Sequence, residues 1–190
     1  MGYGFNFTAR QMARAVCQAF MLHDDKDYEG SAQKFADVYQ SLFDIQRDKA
    51  MRMGRLFVKA LEIHDHIEDV FNGTDGEVYN HDRWQEVEKC LLDICKEAGI
   101  SDRWAKEYTM FLKHHTAYVH KEDSFIKHLI SAEAAMIEDI TKNRKWAEAL
   151  SPIYVCCVRG HDMHTDKAWK FNEDLMAVYY EKILEAKNNV

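Results

Sequence analysis

Three histidines of this 190-residue chain fall where an amphipathic helix places core residues. His23, His64 and His115 each continue a run of apolar residues at helical spacing. An imidazole on an inward face needs a hydrogen bond, a carboxylate or a metal ion as its partner. These histidines are therefore the first residues to consider for chemistry.

His64 has a carboxylate within reach in the sequence itself. Glu68 follows it by four residues, so both side chains belong to one face of a helix and can approach one point. Imidazole and carboxylate together suit iron, zinc or manganese. The alternative is a core histidine that is hydrogen-bonded to Glu68 or to a backbone carbonyl.

The elements that would position these side chains are helices. One proline and eight glycines in the whole chain favour mostly helical structure. The periodicity predicts an all-α antiparallel bundle of about six or seven helices, with residues 1–190 as a single domain. Gly54, inside the second helix, is expected to mark a kink or a close packing point. The expected helices are residues 8–23, 31–71, 80–99 and 101–120, followed by helices opening at Ser124, Ser151 and Thr165.

Antiparallel packing of consecutive helices predicts which residues lie at one level. Residues at equal distances before and after a turn lie side by side in such a pair. Counting outward from the turns near Gly76, Gly99 and Lys121 places several histidines and one glutamate at one end of the bundle. His23 is left out, because a straight second helix would carry His64 about 50 Å from it at ~1.5 Å per residue. The predicted metal ligands are His64, Glu68, His81 and His115, with His128 and His120 nearby.

Two segments resemble motifs of hemerythrin-like domains. Residues 64–69 (HDHIED) are similar to the HxxxE motif of that family, and residues 111–115 (FLKHH) to its WLxxH motif. The resemblance covers about half of the chain and implies a four-helix bundle that holds two irons and binds oxygen or senses iron. It also implies that His64 and Glu68 are iron ligands, with His81 and His115 as histidines of the next two helices. Gln85 stands where the family has the second histidine of an HxxxH pair.

Two other metal sites remain open. Residues 64–69 also look like the HDxxED segment of HD-domain nucleotide hydrolases that act on guanosine tetraphosphate, which implies a metal-dependent phosphohydrolase. Asp123 is the distant aspartate in that comparison, but no histidine occurs between Asp24 and Ile63. Haem held by one axial imidazole is the other alternative.

Composition narrows the class of function. A net charge of −7 argues against a large nucleic-acid surface. No run approaches the ~18 apolar residues of a membrane span, and we expect a cytoplasmic protein. No CxxC pair occurs, so a zinc site made of thiolates is not expected.

Two functions are consistent with these patterns. The first is an iron-binding protein, non-haem or haem, that binds or senses oxygen or iron rather than turning over a substrate. The second is a metal-free interaction module or a homodimer. Tyr179 and Tyr180 in the last helix are expected to supply its contact face.

Overall fold

A computed structural model of the protein describes the backbone of residues 6–71, 81–116, 122–162 and 169–190. Side chains are described for residues 6–63, 84–113, 126–156 and 172–190. These ranges contain helices and no strand, so the all-α prediction is confirmed. The helices are α1 (Ala9–Asp24), α2 (Tyr28–Phe43), α3 (Arg47–Phe71), α4 (His81–Ala98), α5 (Arg103–Thr116), α6 (Glu122–Thr141), α7 (Arg144–Asp162) and α8 (Trp169–Asn188).

The predicted helix over residues 31–71 is wrong, because the chain turns back at Asp44. This residue has the left-handed angles φ 51° and ψ 48° and ends α2. Aspartate adopts that conformation more readily than most residues, since its short polar side chain can bond locally. The break raises the described helices to eight, above the expected six or seven.

Gly54 is a close packing point and not a kink. A Cβ atom at Gly54 would lie 2.3 Å from the backbone carbonyl oxygen of Ala32 and 3.2 Å from the amide nitrogen of Ala36. Only a residue without a side chain allows α3 to approach the backbone of α2 this closely. Together with the ion pair of Arg47 and Asp37, this contact shows that α3 runs antiparallel to α2.

The predicted helix start at Ser151 and Pro152 is also wrong. Helix α7 runs through Pro152 without ending. Leu150 and Tyr154, on either side of the proline, are both buried in the core, so packing holds the two segments as one helix. Helix α6 likewise begins at Glu122, ahead of the predicted start at Ser124.

Two helix ends follow the sequence closely. Thr8 caps α1, and its side chain accepts a hydrogen bond from the backbone of Gln11. Gly99 follows α4 with a φ of 71°, the left-handed conformation that ends many helices. The amide of Ile100 donates to the carbonyl of Cys95, which completes that cap.

The helices close into a ring. Each helix contacts the next one along the chain, α8 also contacts α1, and α3 also contacts α5. Arg10 of α1 pairs with Asp174 and Glu173 of α8. Lys187 near the end of α8 donates to the carbonyl oxygen of Leu42 at 2.7 Å. Buried apolar residues from all eight helices form one core.

The length and apolar content of a helix decide whether it can cross a membrane. In the part of the chain that the structure describes, no helix has an apolar stretch long enough to cross a bilayer.

Candidate functional site

The helices that carry the predicted ligands are neighbours. Helix α3 contacts α4 and α5, α4 contacts α5, and α5 contacts α6. His120 lies outside the described residues, and the side chains of four other candidates lie outside the described side chains, so the metal site stays a prediction. Those four are His64 and Glu68 on α3, His81 on α4 and His115 on α5.

Contacts between described residues nevertheless fix the levels of the backbone. The Nζ atom of Lys113 in α5 lies 6.0 Å from the centre of the Trp84 ring in α4. Because the two helices are antiparallel neighbours, position 81 is then level with position 116, one residue from His115. In the same way, the guanidinium group of Arg52 reaches Gly99, which places position 68 within about one turn of position 83. Glu68, His81 and His115 therefore occupy backbone positions within about one turn of each other along the bundle.

His128 has a carboxylate as its partner. Its Nδ1 atom lies 2.8 Å from Oε2 of Glu107. Glu107 precedes His115 on α5 by eight residues, a rise of about 12 Å. As a metal ligand, which stays a prediction, His128 would use its other ring nitrogen, and Glu107 would orient the ring.

The argument from helix length that excluded His23 from the predicted metal ligands is wrong. It assumed a straight helix over residues 31–71, whereas the turn at Asp44 brings α3 back along α2, the helix against which α1 also packs. The rings of Phe20 and Phe57 lie 6.2 Å apart between their centres, which makes the later parts of α1 and α3 neighbours. His23 follows Phe20 by three residues and is only 8% exposed. It therefore belongs to the end of the bundle to which His64 also belongs.

A cavity of about 50 Å³ lies between α3, α5 and α6, beside this end of the bundle. Its walls are mainly apolar, and Glu133 of α6 is the one carboxyl group among the described lining residues. The lining residues of α3 and of α5 recur at helical spacing. His64 and His115 are the next residues of these two series. Four aromatic residues take part: Phe57, Trp104, Tyr108 and Phe111.

Glu133 is the most unusual polar residue of the described core. It is 5% exposed, and its Oε2 atom has no hydrogen-bond partner among the described residues. Burial raises the pKa of its carboxyl group to about 8, because the charged form loses its hydration. At neutral pH the group is therefore mainly protonated.

The sequence contains a signal for Glu133 that inward histidines alone do not reveal. Glu133 follows Leu129 by four residues and precedes Met136 by three, so it falls on the inward stripe of α6. An acidic residue on an apolar stripe is as informative as a histidine there, because burial penalises its charge even more strongly.

The charge of Glu133 also affects a buried tyrosine, Tyr154 of α7. The hydroxyl oxygens of Tyr39 in α2 and Tyr154 in α7 are 2.6 Å apart, within hydrogen-bonding distance. Burial raises the pKa of Tyr154, and the nearby Tyr39, Tyr180 and Glu133 raise it further. Tyr180 is 1% exposed, so the prediction that it supplies a surface contact face is wrong.

Comparison with known proteins identifies no relative of this chain. No family model, curated protein or solved structure matches the chain. Among the described side chains, no group of three or more His, Cys, Asp or Glu residues could hold a metal ion. The case for a function therefore depends on the levels of the helices, the cavity and Glu133.

Proposed function

We propose that this protein binds a transition metal ion, with iron as the first choice, at the end of the bundle where α3, α4 and α5 meet. The proposed ligands are His64, Glu68, His81 and His115. Three imidazoles and one carboxylate are a donor set that iron accepts. The similarity of residues 64–69 and 111–115 to motifs of hemerythrin-like domains supports iron over zinc or manganese.

The cavity between α3, α5 and α6 is the observation that carries this proposal. Ala60 of α3 and Phe111 of α5 both line it. His64 follows Ala60 by four residues, and His115 follows Phe111 by four, so each histidine occupies the next turn of a cavity-facing stripe. Two helices that present these stripes to a common space support a shared site one turn further along.

The proposed role is the binding or sensing of oxygen or iron, without turnover of an organic substrate. His120 is a further ligand in this proposal, and a haem with one axial imidazole is its alternative form. His128, which pairs with Glu107 about two turns before His115, lies nearby. A cytoplasmic location remains part of the prediction.

Metal analysis tests the proposal directly. Protein expressed with added iron should contain it in stoichiometric amount when the metal content is measured by elemental mass spectrometry. His64→Ala and His115→Ala should each lose most of the metal while keeping the circular dichroism of a folded helical protein.

His66→Ala is the matched control, because residue 66 is two positions along α3 from His64 and on another face. It should keep the metal. Wild-type protein without metal, or equal metal content in all three variants, would contradict the proposal.

A groove supports the second candidate function, a homodimer without metal. It has a volume of about 350 Å³ and lies between α2, α3 and α4, with Tyr28 at its edge 40% exposed. Charged side chains of both signs line it, so a second copy of the chain can meet it with opposite charges. Sedimentation equilibrium should then give a dimer that Tyr28→Ser weakens, and a monomer at all concentrations would contradict this candidate.

A further inference from the structure

We propose that the cavity between α3, α5 and α6 binds a small primary ammonium cation, which the Glu133 carboxylate neutralises and the surrounding aromatic rings enclose. The proposed site uses none of the proposed metal ligands. It uses side chains that the structure describes, and its ligand is defined by charge and size.

The carboxyl group provides the first argument. Glu133 is more than nine-tenths buried, it borders the cavity, and its Oε2 atom has no hydrogen-bond partner among the described residues. A buried carboxyl oxygen without a partner is costly, and a bound donor in the cavity would remove that cost. A primary ammonium group brings both the donors and the opposite charge.

The aromatic walls provide the second argument. Four of the lining residues have aromatic rings, and the faces of such rings attract cations, most strongly where water is excluded. The stacked rings of Trp104 and Tyr108 lie 4.9 Å apart between their centres and form one wall. An anion would meet the carboxyl group and the aromatic rings unfavourably, so anions are excluded as ligands.

Size restricts the cation further. The cavity measures about 50 Å³, and about 10–15 Å³ of such volume is enough to hold one water molecule. It therefore has room for a few non-hydrogen atoms, which includes methylammonium and other short primary ammonium ions. A divalent metal ion would need several oxygen or nitrogen ligands, and Glu133 is the one carboxylate among the described lining residues.

Binding involves a simple exchange of charge. The Glu133 carboxyl group is mainly protonated at neutral pH, so entry of the cation releases its proton to the solvent. Among the described side chains, the titratable groups near Glu133 are Tyr108 of α5, Tyr154 of α7, and, through Tyr154, Tyr39 of α2 and Tyr180 of α8. The described lining residues of α3 are all apolar. Tyrosines stay neutral at pH 7, so the released proton comes from Glu133.

Isothermal titration with methylammonium chloride tests this site, using the full chain at pH 7. We expect saturable binding of one cation per chain, with close to one proton released, as measured in buffers of different ionisation enthalpy. Glu133→Gln should weaken binding at least tenfold, because the amide has nearly the same shape and no charge. Methanol, a neutral molecule of similar size, should not compete.

Two further variants keep the test decisive. Glu138→Gln, on the same helix but outside the cavity lining, should bind as the wild type does. Phe57→Leu keeps an apolar wall and removes one ring, and should weaken binding several-fold even if Glu133→Gln fails to fold. No saturable binding of methylammonium, equal affinity in wild type and Phe57→Leu, or equal binding of methanol would overturn the proposal. The last result would indicate a water-filled cavity.

Discussion

The core of this bundle has two sides that differ in how completely they are packed and paired. On the side of α2 and α7, Tyr39 and Tyr154 share a hydrogen bond at 2.6 Å, and α2 meets the backbone of α3 at Gly54. On the side of α5 and α6, α3 borders a cavity and Glu133 lacks a partner for Oε2 among the described residues. One helix, α3, faces both sides.

This difference in pairing distinguishes buried polar groups that stabilise the fold from those that are candidates for binding a ligand. A buried polar group that has its partner stabilises one arrangement of the core, as the two tyrosines do. A buried polar group that borders a cavity and has no protein partner is costly unless a ligand pairs with it. Glu133 is therefore the better place to look for a ligand, and the tyrosine pair for rigidity.

The largest expected effect is the pH dependence that Glu133 confers on stability. Its pKa is about 8 in the folded chain, against 4.5 as the ordinary value, so the folded state binds more protons between these pH values. The free energy of unfolding should therefore fall as the pH rises from about 5 to 8, and level off above. At about 1.4 kcal/mol for each pH unit, the loss is at most about 5 kcal/mol.

Urea denaturation of wild type and Glu133→Gln across this range measures the effect. The variant should lack this loss, so the difference between the two curves isolates Glu133. Glu138→Gln is the control and should follow the wild type. Parallel curves for wild type and Glu133→Gln would show that the two sides of the core do not differ in this respect.

The next largest expected change in stability comes from the difference in packing between the two faces of α3. Gly54→Ala should destabilise the protein by about 2–3 kcal/mol, because its methyl group would overlap the carbonyl oxygen of Ala32. This loss would appear although alanine is the better helix former by ~1 kcal/mol.

Ala60→Val adds bulk to the other face of the same helix, where the cavity has room, and is the matched comparison. Its stability should stay within about 1 kcal/mol of the wild type, since cavity filling offsets the lower helix propensity of valine. Melting temperatures of the two variants give the comparison. Equal losses would mean that α3 is packed alike on both faces.

The smallest effect concerns the tyrosine pair. Tyr154→Phe should cost about 1–2 kcal/mol, because it leaves the buried hydroxyl of Tyr39 without that partner. Tyr39→Phe combined with Tyr154→Phe should recover part of the loss, since removal of both hydroxyl groups leaves neither one buried alone. A double variant that is as unstable as the sum of the single ones would contradict this interpretation.

Helical periodicity predicted most of the fold, and local chemistry predicted some of its ends. The apolar stripes identified the helices and their inward faces, and Thr8 and Gly99 marked a start and a stop. The break at Asp44 was missed because neither glycine nor proline occurs there. Pro152 misled in the opposite way, since packing of its neighbours keeps α7 continuous.

The candidate site was predictable only in part. The apolar stripes placed His64 and His115 on helices that are in contact. The wrongly predicted second helix separated His23 from the end of the bundle to which these two residues belong. Glu133 was overlooked although it stands on an apolar stripe. A cavity depends on how three helices meet, which periodicity along one helix does not specify.

One measurement tests the central claim, metal binding at the end of α3, α4 and α5, most directly. Crystals of iron-loaded protein should give an anomalous-difference peak at the iron absorption edge. The account predicts one peak, or a close pair, within coordination distance of His64, Glu68, His81 and His115. A map without a peak, or with its peak elsewhere in the molecule, would contradict it.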